Sequence, residues 1–282
     1  MSALFLSIII PTFRNNQEIY KCLDSILKHQ TPDYEIIVID DASRDGSFAK
    51  IKERYKDYNK LIFIENEKNL KFAGTVNKAI NNAQGEWLLI VNNDVYLREN
   101  TISTFKDFVL NNPQYGIVAP LVLNYDGSVQ YPPIKSEYVN TFHLVRFVSL
   151  ESDKIRNSFC EIIITSGCCF FIRRKEWLNV GGFDISYVMY WEEVDLFKRL
   201  NRIGVRAIFN PQIICYHKQH ATIDFWRGWY MVRNRFLLLF EHYPLSIALC
   251  SSGYFLVCTL WQRLFLEILR RIKKPFSKTV RM

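Results

Sequence analysis

Residues 87–97 read WLLIVNNDVYL. The run from Trp87 to Val91 suits a strand buried on both faces, and then two amides and a carboxylate, Asn92, Asn93 and Asp94, arrive together. Asn and Asp dominate turns, so a plain turn is one reading. A ligand-binding edge is the other, because open α/β sheets hold ligands outside the carboxyl ends of their strands. The neighbouring segments favour the edge. Leu4–Ile10 is an apolar run stopped by Pro11 and Thr12, Glu35–Ile39 ends in Asp40 and Asp41, and Leu61–Ile64 ends near Asn66. Helical spacing fills the gaps at 14–29, from Ser47 to Tyr55 and at Phe72–Ala83. Alternating strands and helices imply crossover connections and a parallel sheet. Its polar strand ends then share one edge. Carboxylates gathered there repel one another unless a divalent cation or the donors of a nucleotide lie between them.

Past Leu97 the pattern loosens. Thr101–Leu110 reads as a helix and Gly116–Val122 as a strand, while 124–158 is turn-rich. Glu161–Thr165 and Cys169–Ile172 read as strands interrupted by Ser166 and Gly167. Lys175–Val180 and Glu192–Ile203 read as helices, each closed by glycine, and Arg206–Phe209 and Ile213–Tyr216 as short strands. The class is α/β with a mixed second half.

The 282 residues, 49% apolar, suit one large domain with an appendage and give no sign of disorder. Seven cysteines without regular spacing read as reduced, buried thiols of a cytosolic protein. The apolar N-terminus lacks the basic region of a signal peptide and reads as the first strand. Net charge is +8, but 1–224 is balanced, and the excess lies in 225–282, with ten Lys/Arg against Glu241 and Glu267. That places an anionic partner at the tail alone. The tail's basic residues interleave with a long apolar run rather than a groove-reading motif, which argues against nucleic acid.

Five blocks in order, LSIIIPTFRN (6–15), EIIVIDDASRDGS (35–47), ENEKNLKFAGTVNKAI (65–80), GEWLLIVNNDV (85–95) and GGFDISYVMYWEEVDLFKRL (181–200), resemble the family-2 glycosyltransferases. The rhamnosyltransferase-like and galactofuranosyltransferase-like members of bacterial surface polysaccharide synthesis are the nearest in look. The resemblance implies the GT-A (nucleotide-diphospho-sugar transferase) fold, with a Rossmann-like, mostly parallel central sheet. It implies a nucleotide-sugar site made of Pro11, Thr12, Asp40, Asp41, Asn69, Lys71, Asn77, Asn92, Asn93 and Asp94. Asn92 and Asp94 match the two ends of the family's Asp-x-Asp motif. Asp94 then holds Mg²⁺ or Mn²⁺ against the diphosphate, and Asn92, in place of the usual first Asp, serves the ribose. Lys71 stands where glycine is frequent; an ammonium there reaches phosphate or is simply solvated.

Inverting glycosyl transfer needs a base within hydrogen-bond reach of the acceptor hydroxyl. Glu192, Glu193 and Asp195 open a predicted helix, where the macrodipole alone favours acids. The aromatic and apolar run Tyr187–Trp191 before them suits a sugar face, and desolvation there raises a carboxyl pKa. By resemblance Glu193 falls on the base position, with Glu for the usual Asp, and Asp195 supports it or binds acceptor. The resemblance implies that Ser166 and Gly167 border the acceptor, where a plain strand bend is the other reading, with Trp191 in the aromatic run beside it. His217 is implied as a further metal or diphosphate contact. His217 and His220 in HKQH could also suggest zinc, but no Cys or His partners lie near in sequence.

Pro244–Trp261 has 18 residues without charge, but serines and a glycine dilute it and basic residues flank both sides, which argues against a single span. Over 261–274, Trp261, Leu264, Phe265, Ile268 and Ile272 share one helical face, and Arg263, Glu267, Arg270 and Lys274 the opposite one. This fits a C-terminal helix in the interface of an anionic membrane, on its cytoplasmic face. Packing on the catalytic domain, or a homodimer interface, is the alternative use of 236–272. The expected organisation is a GT-A domain over 1–240, with a nucleotide-binding half at 1–97 and an acceptor half at 98–240. A membrane-associating segment at 241–282 completes it. The expected function is metal-assisted, inverting transfer of a hexosyl or deoxyhexosyl group from a nucleotide-diphosphate sugar to a glycan or polyprenyl-linked glycan. A membrane-associated nucleotide-sugar-binding pseudoenzyme is the alternative.

Overall fold

In the computed structural model, residues 4–14, 17–30, 33–151, 155–218 and 225–272 are described, the last stretch with side chains for 228–258 only. His220 and the basic residues from Lys273 onward lie outside the described residues, as do the side chains of the amphipathic stretch 261–272.

β1 (Leu6–Thr12), β2 (Tyr34–Asp40), β3 (Leu61–Glu65) and β4 (Trp87–Val91) lie in the order β3-β2-β1-β4, all parallel. Helices α1 (Glu18–Leu27), α2 (Ser47–Arg54) and α3 (Lys71–Ile80) are the crossovers. Apolar residues of β1, β2 and β4 are almost wholly buried. Each such Ile, Leu or Val contributes about 1.5–3 kcal/mol. Near the start of β1, Gly85 packs so closely that a Cβ would stand 2.5 Å from the Ser7 nitrogen. The Ser7 hydroxyl there donates to Glu35 (2.5 Å) and accepts from the Gly85 N–H (2.8 Å), so this buried carboxylate is paired.

The remaining strands are β5 (Val95–Leu97), β6 (Tyr115–Leu123), β9 (Cys160–Ile162), β10 (Cys169–Arg173) and β11 (Arg206–His217), with helices α4 (Thr101–Asn111), α5 (Arg174–Asn179) and α6 (Glu192–Arg202). They continue the sheet as β4-β10-β6-β11-β5, with β9 also on β11. β10 is antiparallel to both β4 and β6, and β5 and β9 are antiparallel to β11. The expectation of a mostly parallel sheet is therefore corrected to a mixed one. A strand buried on both faces reads as the same apolar run in either direction, so the sequence of β10 carries no mark of its polarity. β11 is one strand where two were expected; its register on β6 shifts between Asn210 and Ile214. The turn-rich stretch holds β7 (Ile134–Val139) and β8 (Val145–Ser149), a separate two-stranded sheet.

Two compact units result, Met1–Glu137 with Phe147–Arg235, and Tyr138–Arg146 with Phe236–Met282. Helices α7 (Phe225–His242) and α8 (Leu245–Ile272) close the chain. Within the second unit the buried Ser251 hydroxyl donates to the His143 carbonyl and accepts from the Val145 N–H, both at 3.1 Å. Among the described residues no helix is long and apolar enough to cross a membrane. All seven cysteines are free thiols; Cys250, expected in apolar surroundings, is exposed.

Candidate active site

The sheet brings the singled-out residues to one edge. β1, β2, β3 and β4 all end there. β10 runs the other way, so its start meets that edge, with Ser166–Cys168 just before it. β6 is antiparallel to β10 and parallel to β11, so Leu123 and His217 end there too. Asn93 Nδ2 donates to Thr12 Oγ1 (3.0 Å), and the Asn92 N–H to the Cys168 carbonyl (2.9 Å). These bonds tie the ends of β1 and β4 to the turn before β10.

Asp40 and Asp41 are buried and already partnered. Asp40 accepts from the Ser43 N–H at 2.8 Å and from the Ser43 hydroxyl, closing the turn after β2. Asp41 Oδ1 accepts from the Leu70 N–H (2.6 Å), Thr75 Oγ1 (2.8 Å) and Asn66 Nδ2 (3.0 Å), and Oδ2 from the Lys71 N–H (3.0 Å). It thereby caps α3 from a distant strand, as an N-cap carboxylate does. Asn69 donates to the Asp41 carbonyl (3.2 Å). Lys71 has φ +62, which explains the physical advantage of glycine at this point, and its side chain is exposed. Asn77 pairs both ways with the backbone of Phe183, at 2.8 and 3.0 Å. Its amide fixes the glycine loop 181–183 to α3 instead of projecting from the edge.

Asp94 and His217 meet. The β11–β5 register sets His217 opposite Val95, and His217 Nε2 lies 3.1 Å from Asp94 Oδ1. On the other side of the ring Nδ1 lies 2.6 Å from Gln130 Oε1. Gln130 Nε2 donates to Asn124 Oδ1 (2.7 Å) and to the His217 carbonyl (3.3 Å), so the amide orientation follows from the network. Nδ1 then carries a proton toward Gln130, and Nε2 is the nitrogen that faces the Asp94 carboxylate. A proton on Nε2, or a cation between the two groups, satisfies that contact. A carboxylate oxygen, an imidazole nitrogen and a hydrogen-bonded far side of the ring form a donor set that suits a divalent metal. Lys218, next in sequence, pairs with buried Glu18 at 2.7 Å. Burial pushes the Glu18 carboxyl up, but hydrogen bonds from Lys218, Tyr125 and Lys21 outweigh it and leave it below the ordinary range.

Glu193 packs on Gly167. A Cβ on that glycine would lie 3.2, 3.3 and 3.4 Å from Glu193 Cβ, Cγ and Cδ. Burial raises the Glu193 carboxyl, against the pull of the backbone N–H groups of Glu193, Val194 and Trp191. Glu192 is more strongly raised, first by burial and then by the charge of Glu193, and its Oε2 has no hydrogen-bond partner among the described residues. The Cys168 thiol is pushed up by burial first, and the charges of Asp94 and Glu193 both add to it. Geometry brings both groups to this turn: Glu193 packs on Gly167, and Asn92, two residues before Asp94, bonds the Cys168 carbonyl. Asp195, by contrast, is bound by Arg199 at 2.6 and 2.9 Å, and Arg199 also donates to the carbonyls of Val180 and Gly182. That links Asp195 to the glycine loop. Ser166 Oγ lies 3.2 Å from Cys168 Sγ.

Sequence reasoning missed Gln130 and Asn234. Gln130 sits in a turn-rich stretch and offers no signal. Asn234 does: an asparagine inside the apolar helical run WYMVRNRFLLL is a poor helix former with a buried amide to satisfy. A hollow of about 220 Å³, lined by Tyr115, Arg173, Lys175, Glu176 and Arg206 among others, lies at the opposite edge of the sheet. Its cations are paired with Glu86, Glu176 and Glu161.

Comparison with known proteins agrees with this architecture. An N-acetylglucosaminyl-diphospho-decaprenol L-rhamnosyltransferase of Mycobacterium tuberculosis is 26% identical over 77% of this chain and 77% of its own length. TarS 1–349 of S. aureus superposes with a TM-score of 0.61 at 18% identity, covering 84% of this chain; the chain spans 65% of that protein. The same protein in complex with UDP-GlcNAc gives 0.62 at 19%, over 90% and 72% of the two chains. The mannosyltransferase PcManGT of Pyrobaculum calidifontis, in complex with GDP-Man and Mn²⁺, gives 0.58 at 18%, over 88% and 68%. The structural likenesses show a shared fold. The model of the family "Glycosyl transferase family 2" matches residues 7–177, more than half of the chain. The chain belongs to glycosyl transferase family 2, and it is a glycosyltransferase.

Proposed function

We propose that this glycosyltransferase moves a sugar from a nucleoside-diphosphate sugar to a hydroxyl of a glycan or lipid-linked glycan, with inversion, in the synthesis of a cell-surface polysaccharide. The observation that carries the reading is the pair of carboxylate centres at the Gly167–Cys168 turn: Asp94, paired with His217 and two residues beyond the Asn92 that bonds Cys168, and Glu193 against Gly167. The acceptor class is supported by the rhamnosyltransferase relative, whose name specifies a decaprenyl-diphosphate-linked acceptor.

Pro11, Thr12, Asp40, Asp41 and Asn69 form the base and ribose end of the donor site, the aspartates chiefly by fixing its walls. Asn92 and Asn93 face the ribose, and the exposed ammonium of Lys71 lies at the rim. Asn77 orders the glycine loop. Asp94 and His217 would hold Mg²⁺ or Mn²⁺, which would supply positive charge to neutralise the diphosphate. Glu193 accepts the proton of the acceptor hydroxyl as its oxygen bonds to the anomeric carbon. The bond from that carbon to the β-phosphate oxygen breaks, and its electron pair leaves with the nucleoside diphosphate. Glu192, held protonated by burial, keeps a second negative charge away from Glu193. Ser166, Gly167 and Trp191 border the acceptor, and Asp195 holds the loop beside it. The test is a panel of UDP-, dTDP- and GDP-sugars with Mn²⁺ or Mg²⁺ and the purified chain. Turnover or hydrolysis of one donor, lost in Glu193→Gln while binding remains, is expected. Binding without turnover of any donor, by the wild type and across acceptors, would overturn the reading.

The second unit supports a peripheral position on an anionic membrane. Phe142 is 76% exposed, and Leu245, Leu249 and Val257 of α8 are 55–66% exposed. The chain from 259 to its end carries seven Lys/Arg against Glu267. Apolar exposure joined to basic charge is the signature of an interfacial segment. Co-sedimentation with anionic vesicles, absent with neutral ones at high salt, is expected. A second copy of the chain is the competing occupant of this surface, and concentration-dependent dimerisation without vesicle binding would favour it.

A further inference from the structure

The backbone just before the candidate base is unusual. Val188 has φ +59 and ψ −55, Tyr190 φ +68 and Trp191 φ +72. Three of four successive residues thus occupy left-sided conformations, none of them is glycine, and one is β-branched, for which such a φ is an outlier. Strain of this kind persists only where the surroundings over-determine it. Trp191 is also the residue from which α6 departs: its carbonyl accepts the Asp195 N–H at 2.9 Å. The conformation of this loop therefore sets where α6 begins and where Glu193 points.

Asn234, in the part of α7 that belongs to the first unit, supplies the over-determination. It is fully buried, and Nδ2 donates toward the carbonyls of Tyr187 (2.5 Å), Met189 (2.8 Å) and Tyr190 (2.9 Å). Two N–H groups serve three carbonyls, so one is shared. Oδ1 accepts from Arg233 Nη1 (2.7 Å), which also donates to the Ser186 carbonyl (2.8 Å). The Arg235 guanidinium lies 5.8 Å from the centre of the Trp191 ring. Three consecutive residues of one helix thus grip one loop. Only a short amide fits the central position. A carboxylate offers no donor to the carbonyls, an alkyl group leaves them unpaired, and glutamine carries its amide one methylene too far.

We propose that Asn234 is a positioning residue: it holds the strained Tyr187–Trp191 loop closed, so that α6 starts at Glu192 and presses Glu193 against Gly167. Without it the loop relaxes toward ordinary backbone angles and the first turn of α6 swings. The inference rests on Glu193 being the base.

The test compares Asn234→Ala, Asn234→Asp and Val188→Gly/Asn234→Ala with the full-length wild type, using the donor found active in the panel above. Asn234→Ala is expected to lower kcat about 10–100-fold, the effect of moving a reacting group by a fraction of an ångström to one ångström. Donor KM should stay within about twofold, because Asp94, His217 and the β1–β4 edge are untouched. Asn234→Asp should be worse than Asn234→Ala, since a carboxylate faces three carbonyls; a role in filling space alone predicts the reverse order. Glycine at 188 removes strain, so the double variant should recover at least about threefold in kcat. Wild-type kcat in Asn234→Ala overturns the proposal, as does a milder Asn234→Asp or a double variant without recovery. If Asn234→Ala is insoluble, the double variant must be soluble and active; insolubility of both also overturns it. Wild-type kcat in Glu193→Gln would instead remove the base reading, independently of the loop.

Discussion

Gln130→Leu isolates the far side of the histidine ring from everything the donor touches. Gln130 Oε1, 2.6 Å from His217 Nδ1, holds a proton on that nitrogen, so that in the neutral ring Nε2 carries the lone pair facing Asp94 at 3.1 Å. Leucine matches glutamine roughly in volume but accepts nothing. The Nδ1–H is then left unpaired in a site where His217 is only 7% exposed. The ring can regain a partner by moving its proton to Nε2, which then donates to Asp94. That tautomer satisfies the ring and abolishes the metal-facing lone pair. Loss of such an outer partner typically weakens metal affinity about 10–100-fold, or about 1.4–2.8 kcal/mol at 1.4 kcal/mol per decade. The measurement is the free Mn²⁺ signal by electron paramagnetic resonance during titration of the chain with Mn²⁺ in excess UDP. His217→Ala serves as the reference for complete loss of that ligand. Fold integrity is checked by thermal melting without metal, where Gln130→Leu should stay within a few degrees of wild type. Mn²⁺ affinity unchanged in Gln130→Leu while His217→Ala weakens it would refute the tautomer argument. Affinity unchanged in both would remove His217 from the metal site.

Glu193→Gln should lower kcat about 10²–10⁴-fold, the usual worth of a positioned base. Because burial raises the Glu193 carboxyl and the base must be ionised, kcat/KM should fall on the acid side at a pH above the ordinary glutamate range, and this limb should vanish from the residual activity of the variant. Gly167→Ala puts a methyl group 3.2–3.4 Å from three carbons of Glu193. A shift of a few tenths of an ångström in the base should cost about tenfold in kcat, read against an unchanged donor KM, since misplacement by 1 Å costs about 10²-fold. Glu192→Gln should stabilise the protein at neutral pH, because the amide carries no proton whose binding folding must perturb. The sign follows from its raised pKa: the folded chain holds the proton more tightly than the unfolded one, so stability falls as pH rises from the ordinary glutamate value through the raised one. Urea unfolding at pH 5 and pH 8 should show the gain in Glu192→Gln mainly at the higher pH.

The sequence by itself determined the alternation of apolar runs and helical segments through residue 97, and with it the parallel direction of β1 to β4 and the shared edge of their polar ends. Burial on both faces forces continuous apolar runs, and crossover helices force parallel neighbours, so local pattern and topology agree there. The resemblance carried by the motifs of the sequence, and not residue type alone, singled out Asp94, Glu193 and His217. The tertiary structure alone decided the rest. The polarity of β10 is invisible because a doubly buried strand looks alike in both directions. Asp40, Asp41, Asn77 and Asp195 stand out in sequence only as motif residues, and the packing gives their oxygens and amides turns, a helix start and a glycine loop to hold. A side chain's type states which bonds it can make, whereas only the packing states which partner reaches it first. Gln130 and Asn234 act on His217 and on the Tyr187–Trp191 loop across 87 and 47 residues of chain. Such pairings depend on distances in space, and the local periodicity of a sequence does not record them.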